Sequence, residues 1–182
     1  MSRIGKRPII IPPGIEIKIE NNTLKAKGPK GETSFTIPKG IKVEITDNLL
    51  KVIPETINKD TKAFWGTSRA HINNAIKGVN EGFTKELQLE GVGYRVSLEN
   101  NNVVLKVGFI NLINLKIPEG IDVTIDKDII KISGISKEKV GQFAAKIKSI
   151  KPVEPYKGKG IHYVGERIRR KAGKKIATSS GT

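Results

Sequence analysis

Apolar and polar residues alternate from the start of the chain: Ile15, Ile17 and Ile19, then Leu24 and Ala26 beyond Asn21-Asn22. Alternation of period two on both sides of a turn-forming pair predicts a β-hairpin. Gly28-Pro29-Lys30-Gly31 punctuates the chain before a strand around 32–37. Val43 and Ile45 alternate again, and Asp47-Asn48 turns the chain into a strand at 49–53. The period then changes. From Asp60 to about Lys77 the spacing predicts a helix that buries Trp65, Ile72, Ala75, Ile76 and Val79, with Gly78 at its end. A second series of strand signals has its turns at Asn100-Asn101-Asn102 and Asp126-Lys127-Asp128 and also closes in a helix. There Val140, Phe143, Ala144, Ile147 and Ile150 form one apolar stripe. Ser136 is placed to cap that helix, and Pro152 to stop it.

The two series are copies of one pattern. IPKGIKVEITDNLLKV (37–52) realigns on IPEGIDVTIDKDIIKI (117–132) at an offset of 80. Upstream, GIEIKIENN (14–22) resembles GYRVSLENN (93–101), and downstream Trp65-Gly66, Ala70 and Ile72 meet Val140-Gly141, Ala145 and Ile147. Order and spacing persist through three elements, so an internal duplication is the economical reading. Strands in a run followed by one helix make an α+β unit. The expected fold is therefore α+β: two tandem copies of a small antiparallel sheet covered by one helix, plus a basic C-terminal extension. The expected divisions are a basic segment at 1–7, repeats at 8–82 and 83–151, and a tail at 152–182.

Charge sharpens this division. The chain has 182 residues and a formal net charge of +15. Residues 1–83 carry +6, residues 84–150 only +2, and residues 151–182 carry +7. A glycine-rich cationic tail with few aliphatics suits a polyanion partner and is expected to be disordered when free. The opening MSRIGKRPIIIPPG has no long apolar region and no small-residue cleavage site, so it does not read as a signal peptide. No apolar stretch approaches a membrane span. The expectation is a soluble, cytosolic protein with no membrane partner.

Catalytic chemistry finds little support. There are no cysteines, which excludes disulfides, thiolate metal sites and cysteine nucleophiles. Gly66-Thr67-Ser68-Arg69-Ala70 lacks the last glycine of a nucleophile elbow and lies in a helical pattern, so Ser68 reads as a small residue at a helix–sheet contact. His71 and His162 have no metal-motif neighbours. His71 reads as an exposed helix residue, and His162 as a tail residue facing phosphate or solvent. Gly91-Val92-Gly93 lacks the third glycine of a dinucleotide loop. No metal site and no cofactor are expected.

The tail has a positive reading. Lys157-Gly158-Lys159-Gly160 sets two cations on a backbone with little bulk, so the main chain can approach phosphates. Tyr156 and Tyr163 bracket this run and can stack on exposed bases or pack the tail onto the second repeat. Arg167, Arg169, Arg170, Lys171, Lys174 and Lys175 give six cations in nine residues, tempered by Glu166. A guanidinium suits phosphate because its planar fork donates two hydrogen bonds at once. Arg3, Lys6 and Arg7 form a weaker cluster that can also be no more than a soluble terminus.

These residues carry a resemblance. Val153–Ile161 (VEPYKGKGI), with Tyr163, Glu166 and Arg169–Lys175, resembles the tail of the bacterial large-subunit ribosomal protein six family. SRIGKRPI (2–9), GTSRAHINNAIKGV (66–79) and LEGVGYR (89–95) look like the same family, so the likeness spans the chain. Val153 departs from the proline usual there and loosens the turn before Tyr156. The resemblance implies two similar α/β domains and no enzymatic activity. It implies binding to 23S rRNA near the sarcin–ricin region, at the base of the acidic stalk, beside other large-subunit proteins and near the docking place of translation GTPases. It implies rRNA contacts from Tyr156, Lys157, Lys159, Arg167, Arg169, Arg170, Lys171, Lys174 and Lys175; the tail's own chemistry adds Tyr163 to them, and Arg3, Lys6, Arg7 and Arg69 are candidates for secondary contacts. The alternative is a free-standing nucleic-acid-binding or RNA chaperone-like protein. An RNA-processing enzyme ranks third, since no polar pocket is visible for it.

Overall fold

The computed structural model describes residues 2–46 and 48–173, and the fold is α+β with two helices and several antiparallel sheets. The chain forms two compact units, Met1–Thr84 with Glu119–Asp122 and Ser133–Gly141, and Lys85–Pro118 with Val123–Ile132 and Gln142–Thr182.

In the first half, β1 (Ile9–Ile10), β2 (Glu16–Glu20), β3 (Thr23–Gly28), β4 (Gly31–Thr36), β5 (Ile41–Thr46) and β6 (Leu49–Pro54) precede α1 (Lys59–Asn80). The hairpin β2–β3 turns at Asn21 and Asn22, whose φ values of 46° and 61° match the primed turn that fits the twist of paired strands. Its register pairs Ile17 with Ala26 and Ile19 with Leu24. Where the pattern suggests a single sheet, these strands divide between two, in the orders β2-β3-β4 and β1-β6-β5. Leu24, Ala26, Leu50, Val52, Ile72, Ile76 and Val79 are buried together, so α1 packs its stripe against inward residues of both sheets.

The ends of α1 are set by local chemistry. The Asn58 N–H donates to Thr61 Oγ1 at 2.8 Å, and the Thr61 hydroxyl donates to the Thr56 carbonyl at 2.6 Å. Gly78 does not end the helix. It is buried within it, and Gly82 is the stop: with φ +78°, it donates its N–H to the Gly78 carbonyl at 3.0 Å. A left-handed residue there satisfies carbonyls that the last turn leaves open. Trp65 and Ala75 are only partly buried.

The remaining strands are β7 (Phe83–Glu90), β8 (Arg95–Glu99), β9 (Asn102–Lys106), β10 (Ile113–Lys116), β11 (Ile121–Asp126) and β12 (Ile129–Gly134), followed by α2 (Lys137–Ile150) and β13 (Gly160–Tyr163). They form sheets in the orders β10-β9-β8 and β11-β12-β7-β13. Val140, Phe143, Ala144 and Ile147 are buried on α2 as the stripe requires, while Ile150 is half-buried. The Lys139 N–H donates to Ser136 Oγ at 3.3 Å, so Ser136 caps the helix.

Candidate nucleic-acid interface

The segment after α2 folds back before it reaches its cationic run. The Ile161 N–H donates to the Lys151 carbonyl at 2.9 Å, and the Glu154 N–H to the Lys159 carbonyl at 2.8 Å, closing a narrow loop. Inside it, the Gly158 N–H donates to the Glu154 carbonyl at 3.0 Å. Two glycines make the loop possible. Gly160 has φ +146°, and a β-carbon there would lie 2.7 Å from Val153 Cα. Gly158 has φ +77°, and its missing side chain leaves room for the Arg170 guanidinium, 3.0 Å from where a β-carbon would stand. Tyr156 and Lys157 are exposed on the loop, and Lys159 is half-buried.

From this loop the chain enters β13, which pairs antiparallel with β7 in the register Gly160↔Glu90 through Tyr163↔Leu87. The tail segment expected to be disordered is thus a sheet strand at residues 160–163. Ile161 and His162 are buried, so His162 faces neither phosphate nor solvent. Its Nε2 lies 4.0 Å from Glu90, and its buried Nδ1 has no partner among the described residues. The Tyr163 ring is half-buried beneath two ammonium groups, Lys148 at 4.7 Å and Lys85 at 5.5 Å from its centroid.

A turn over 163–166 then redirects the chain. The Glu166 N–H donates to the Tyr163 carbonyl at 3.0 Å, and Gly165 has φ +81°. The Glu166 carboxylate accepts the Tyr163 N–H at 3.0 Å and the Lys148 ammonium at 2.6 Å. That ammonium, and secondarily the Tyr163 N–H, holds the carboxyl below the usual carboxylate range. Beyond the turn, the Lys171 N–H donates to the Pro155 carbonyl at 2.8 Å. The Arg170 and Lys171 stretch therefore lies beside the loop that carries Lys157 and Lys159. Arg167 and Arg169 belong to the same return stretch, where Arg169 is exposed. Among the described residues, none of these six cations forms an ion pair with an acid. Lys174 and Lys175 lie outside the described residues.

The segment that carries the N-terminal cations packs on α1. Trp65 covers the backbone at Gly5, Ser2 Oγ lies 2.9 Å from where a β-carbon on Gly66 would stand, and the Gly5 N–H donates to Ser2 Oγ at 3.1 Å. Arg69 donates from Nε to the Arg7 carbonyl at 3.2 Å and from Nη2 to the Pro8 carbonyl at 3.3 Å. Its guanidinium is thereby engaged in holding the segment that presents Arg3, Lys6 and Arg7 to solvent. Spacing alone offers no sign of this, because the partners are backbone carbonyls about sixty residues away.

The residues weighed for catalysis find other employment. Ser68 is buried inside α1 and so occupies no strand-to-helix turn. His71 is not a plain exposed helix residue: its ring stacks on Phe35 at 5.2 Å, and its Nδ1 lies 3.2 Å from Glu138. Among the described residues no group of three or more His, Asp or Glu is placed to hold a metal, and no helix is long and apolar enough to cross a membrane.

This arrangement sets cations without acidic partners among the described residues side by side, the chemistry that suits a phosphate backbone. The family model for ribosomal protein L6 matches residues 11–82 and 90–164. The large ribosomal subunit protein uL6 of a Nitratiruptor species is 49% identical over 176 residues, covering 96% of this chain and 98% of that protein. The protein of the same name from Persephonella marina is 47% identical over 177 residues, with 97% and 99% covered. That of Staphylococcus saprophyticus is 45% identical over 175 residues, with 96% and 98% covered.

Proposed function

Because the chain belongs to the ribosomal protein L6 family, we propose that it binds 23S rRNA and stabilises its folded form near the sarcin–ricin region, at the base of the acidic stalk. It is a structural constituent of the large ribosomal subunit and not an enzyme, with ribosomal RNA and ribosomal proteins as its partners. Its place in the cell is that particle in the cytoplasm. Translation GTPases dock close by.

The observation that carries the RNA reading is the surface made by two stretches of the C-terminal segment. Lys157 and Lys159 stand on a backbone-closed loop, and Arg170 and Lys171 are tied beside it by one hydrogen bond and one glycine contact. Phosphate contacts position a protein on RNA, and fixed cations lose less conformational freedom than free ones when they make them. Tyr156 is exposed beside Lys157 and is free to stack on an unpaired base. Tyr163 is half-buried under Lys148 and Lys85 and adds its remaining exposed part to the same set of contacts. Lys174 and Lys175 extend the same run, and Arg3, Lys6 and Arg7 supply a second, smaller set of contacts.

The family match in two stretches, together with the 80-residue offset, supports reading the chain as two tandem copies of one unit followed by the basic extension. Sedimentation tests the assignment: the protein should co-migrate with the large subunit at constant stoichiometry, and migration free of the subunit would overturn it. Footprinting of 23S rRNA tests the finer placement. Protection should fall on and around the sarcin–ricin region, and protection confined to distant helices would contradict it.

A further inference from the structure

The Lys148–Glu166–Tyr163 cluster raises a question of charge. An acid in the middle of a cationic RNA-binding run should weaken the run, because like-signed phosphates repel it. Glu166 nevertheless lies between β13 and Arg167. Three contacts explain its presence. Its carboxylate accepts the Lys148 ammonium from α2 at 2.6 Å with one oxygen and at 2.7 Å with the other. It also accepts the Tyr163 N–H at 3.0 Å, while its own N–H returns to the Tyr163 carbonyl at 3.0 Å. The turn is thus closed twice, by backbone and by side chain, around a Gly165 in the left-handed region that a turn of this shape demands.

The cluster also organises its neighbours. Lys148 lies over the Tyr163 ring at 4.7 Å while it grips Glu166, and Lys85 of β7 adds a second ammonium at 5.5 Å. Charge-assisted bonds of this kind are stronger than neutral ones and fix direction. The chain leaves the turn on a path that brings Arg170 against Gly158 and Lys171 onto Pro155. Among the described residues, the two bonds to the Glu166 carboxylate are the only hydrogen bonds that tie the 163–166 turn to α2.

We propose that Glu166 is a positioning residue of the RNA-binding surface: it fixes the turn from which Arg167, Arg169, Arg170 and Lys171 return to the Lys157–Lys159 loop. This rests on the RNA-binding reading above and adds a residue to it whose charge has the wrong sign for direct contact.

The sign of one substitution decides the matter. Glu166→Ala raises net charge by one, so simple attraction requires tighter binding to 23S rRNA transcribed in vitro. The positioning role requires weaker binding, by about threefold or more on the scale of couplings within one bonded network. It also requires a shallower dependence of log affinity on log salt, since fewer cations engage phosphates together. Glu166→Gln, which keeps an acceptor for the Tyr163 N–H, should fall between. Asp126→Ala makes the same charge change at the exposed end of β11, away from the loop and at a side chain with no hydrogen bond or ion pair among the described residues, and should bind as well as wild type or better. Thermal midpoints within a few degrees of wild type establish that each variant is folded. Glu166→Ala binding as tightly as wild type, or tighter, would overturn the proposal while leaving the RNA reading intact. A wild-type protein that does not bind the transcript would overturn the RNA reading, and this proposal with it.

Discussion

The indole of Trp65 lies against the Gly5 backbone so closely that a β-carbon on Gly5 would meet three atoms of the ring at 2.7–2.8 Å. The ring is also held at its edge: its Nε1–H donates to the Val52 carbonyl at 2.6 Å. The indole cannot move away without breaking that bond. Gly5→Ala should therefore release the N-terminal segment and cost about 1–3 kcal/mol, the usual penalty of overpacking. The chain has one tryptophan, so its emission reports on this contact alone. A red shift and stronger quenching by iodide are expected, and an unchanged spectrum would deny the contact.

Two helical glycines should respond to alanine with opposite signs. Intrinsic propensity favours alanine over glycine by about 1 kcal/mol in a helix interior. At Gly141, where nothing lies within 4 Å of the new β-carbon, that gain should appear in full. At Gly78 the β-carbon would collide with the Ile135 carbonyl oxygen, a backbone atom that cannot swing aside. Thermal unfolding should show Gly141→Ala raised by about 2–4 °C for a chain of this size, and Gly78→Ala lowered.

The loop glycines separate stability from binding. Gly160→Ala would bring a β-carbon to 2.7 Å from Val153 Cα and 2.8 Å from the Pro152 carbonyl oxygen, against rigid backbone, so it should disrupt the loop and β13. Gly158→Ala meets only the far end of the Arg170 side chain and loses mainly through its positive φ, about 1–2 kcal/mol. Circular dichroism and melting should place Gly160→Ala well below Gly158→Ala, while filter binding to 23S rRNA should show both weakened.

Acid should loosen the 163–166 turn later than it protonates an ordinary glutamate. Lys148 and the Tyr163 N–H lower the Glu166 pKa in the folded protein. A depressed carboxyl contributes stability that is complete above its unfolded pKa and is lost as pH falls through the folded one. The Tyr163 amide resonance should therefore titrate with a midpoint below the normal glutamate range. In Lys148→Met that midpoint should rise towards it. A midpoint already at the ordinary value in the unmutated chain would contradict the ion pair.

Much of the fold is legible in the sequence because period and turn chemistry are local. Asn21-Asn22 and Asn100-Asn101 announce hairpins whose positive φ values they then adopt, and the α2 stripe buries the residues its spacing selects. What escapes notice depends on partners far along the chain. The strand Gly160–Tyr163 has only Ile161 as an aliphatic signal, and its pairing with Phe83–Glu90 spans about seventy residues. Burial of His162 and the half-burial of Tyr163 follow from that pairing and from nothing nearby. Arg69 looks like a free cation until the Arg7 and Pro8 carbonyls are placed beside it. Glu166 looks like a blemish in a basic run until Lys148 arrives from α2. The cationic composition of the segment is plain from the residues, whereas its path is a property of the folded chain.

The salt dependence of rRNA binding tests the central claim most directly. If Lys157, Lys159, Arg167, Arg169, Arg170 and Lys171 neutralise about six phosphates, log affinity should fall with log salt at a slope near −5, taking the coefficient for duplex DNA. Replacing all six by glutamine, in a protein whose far-ultraviolet spectrum is unchanged, should remove most of that slope. A slope that survives the replacement would place the RNA contacts elsewhere on the molecule and contradict the account.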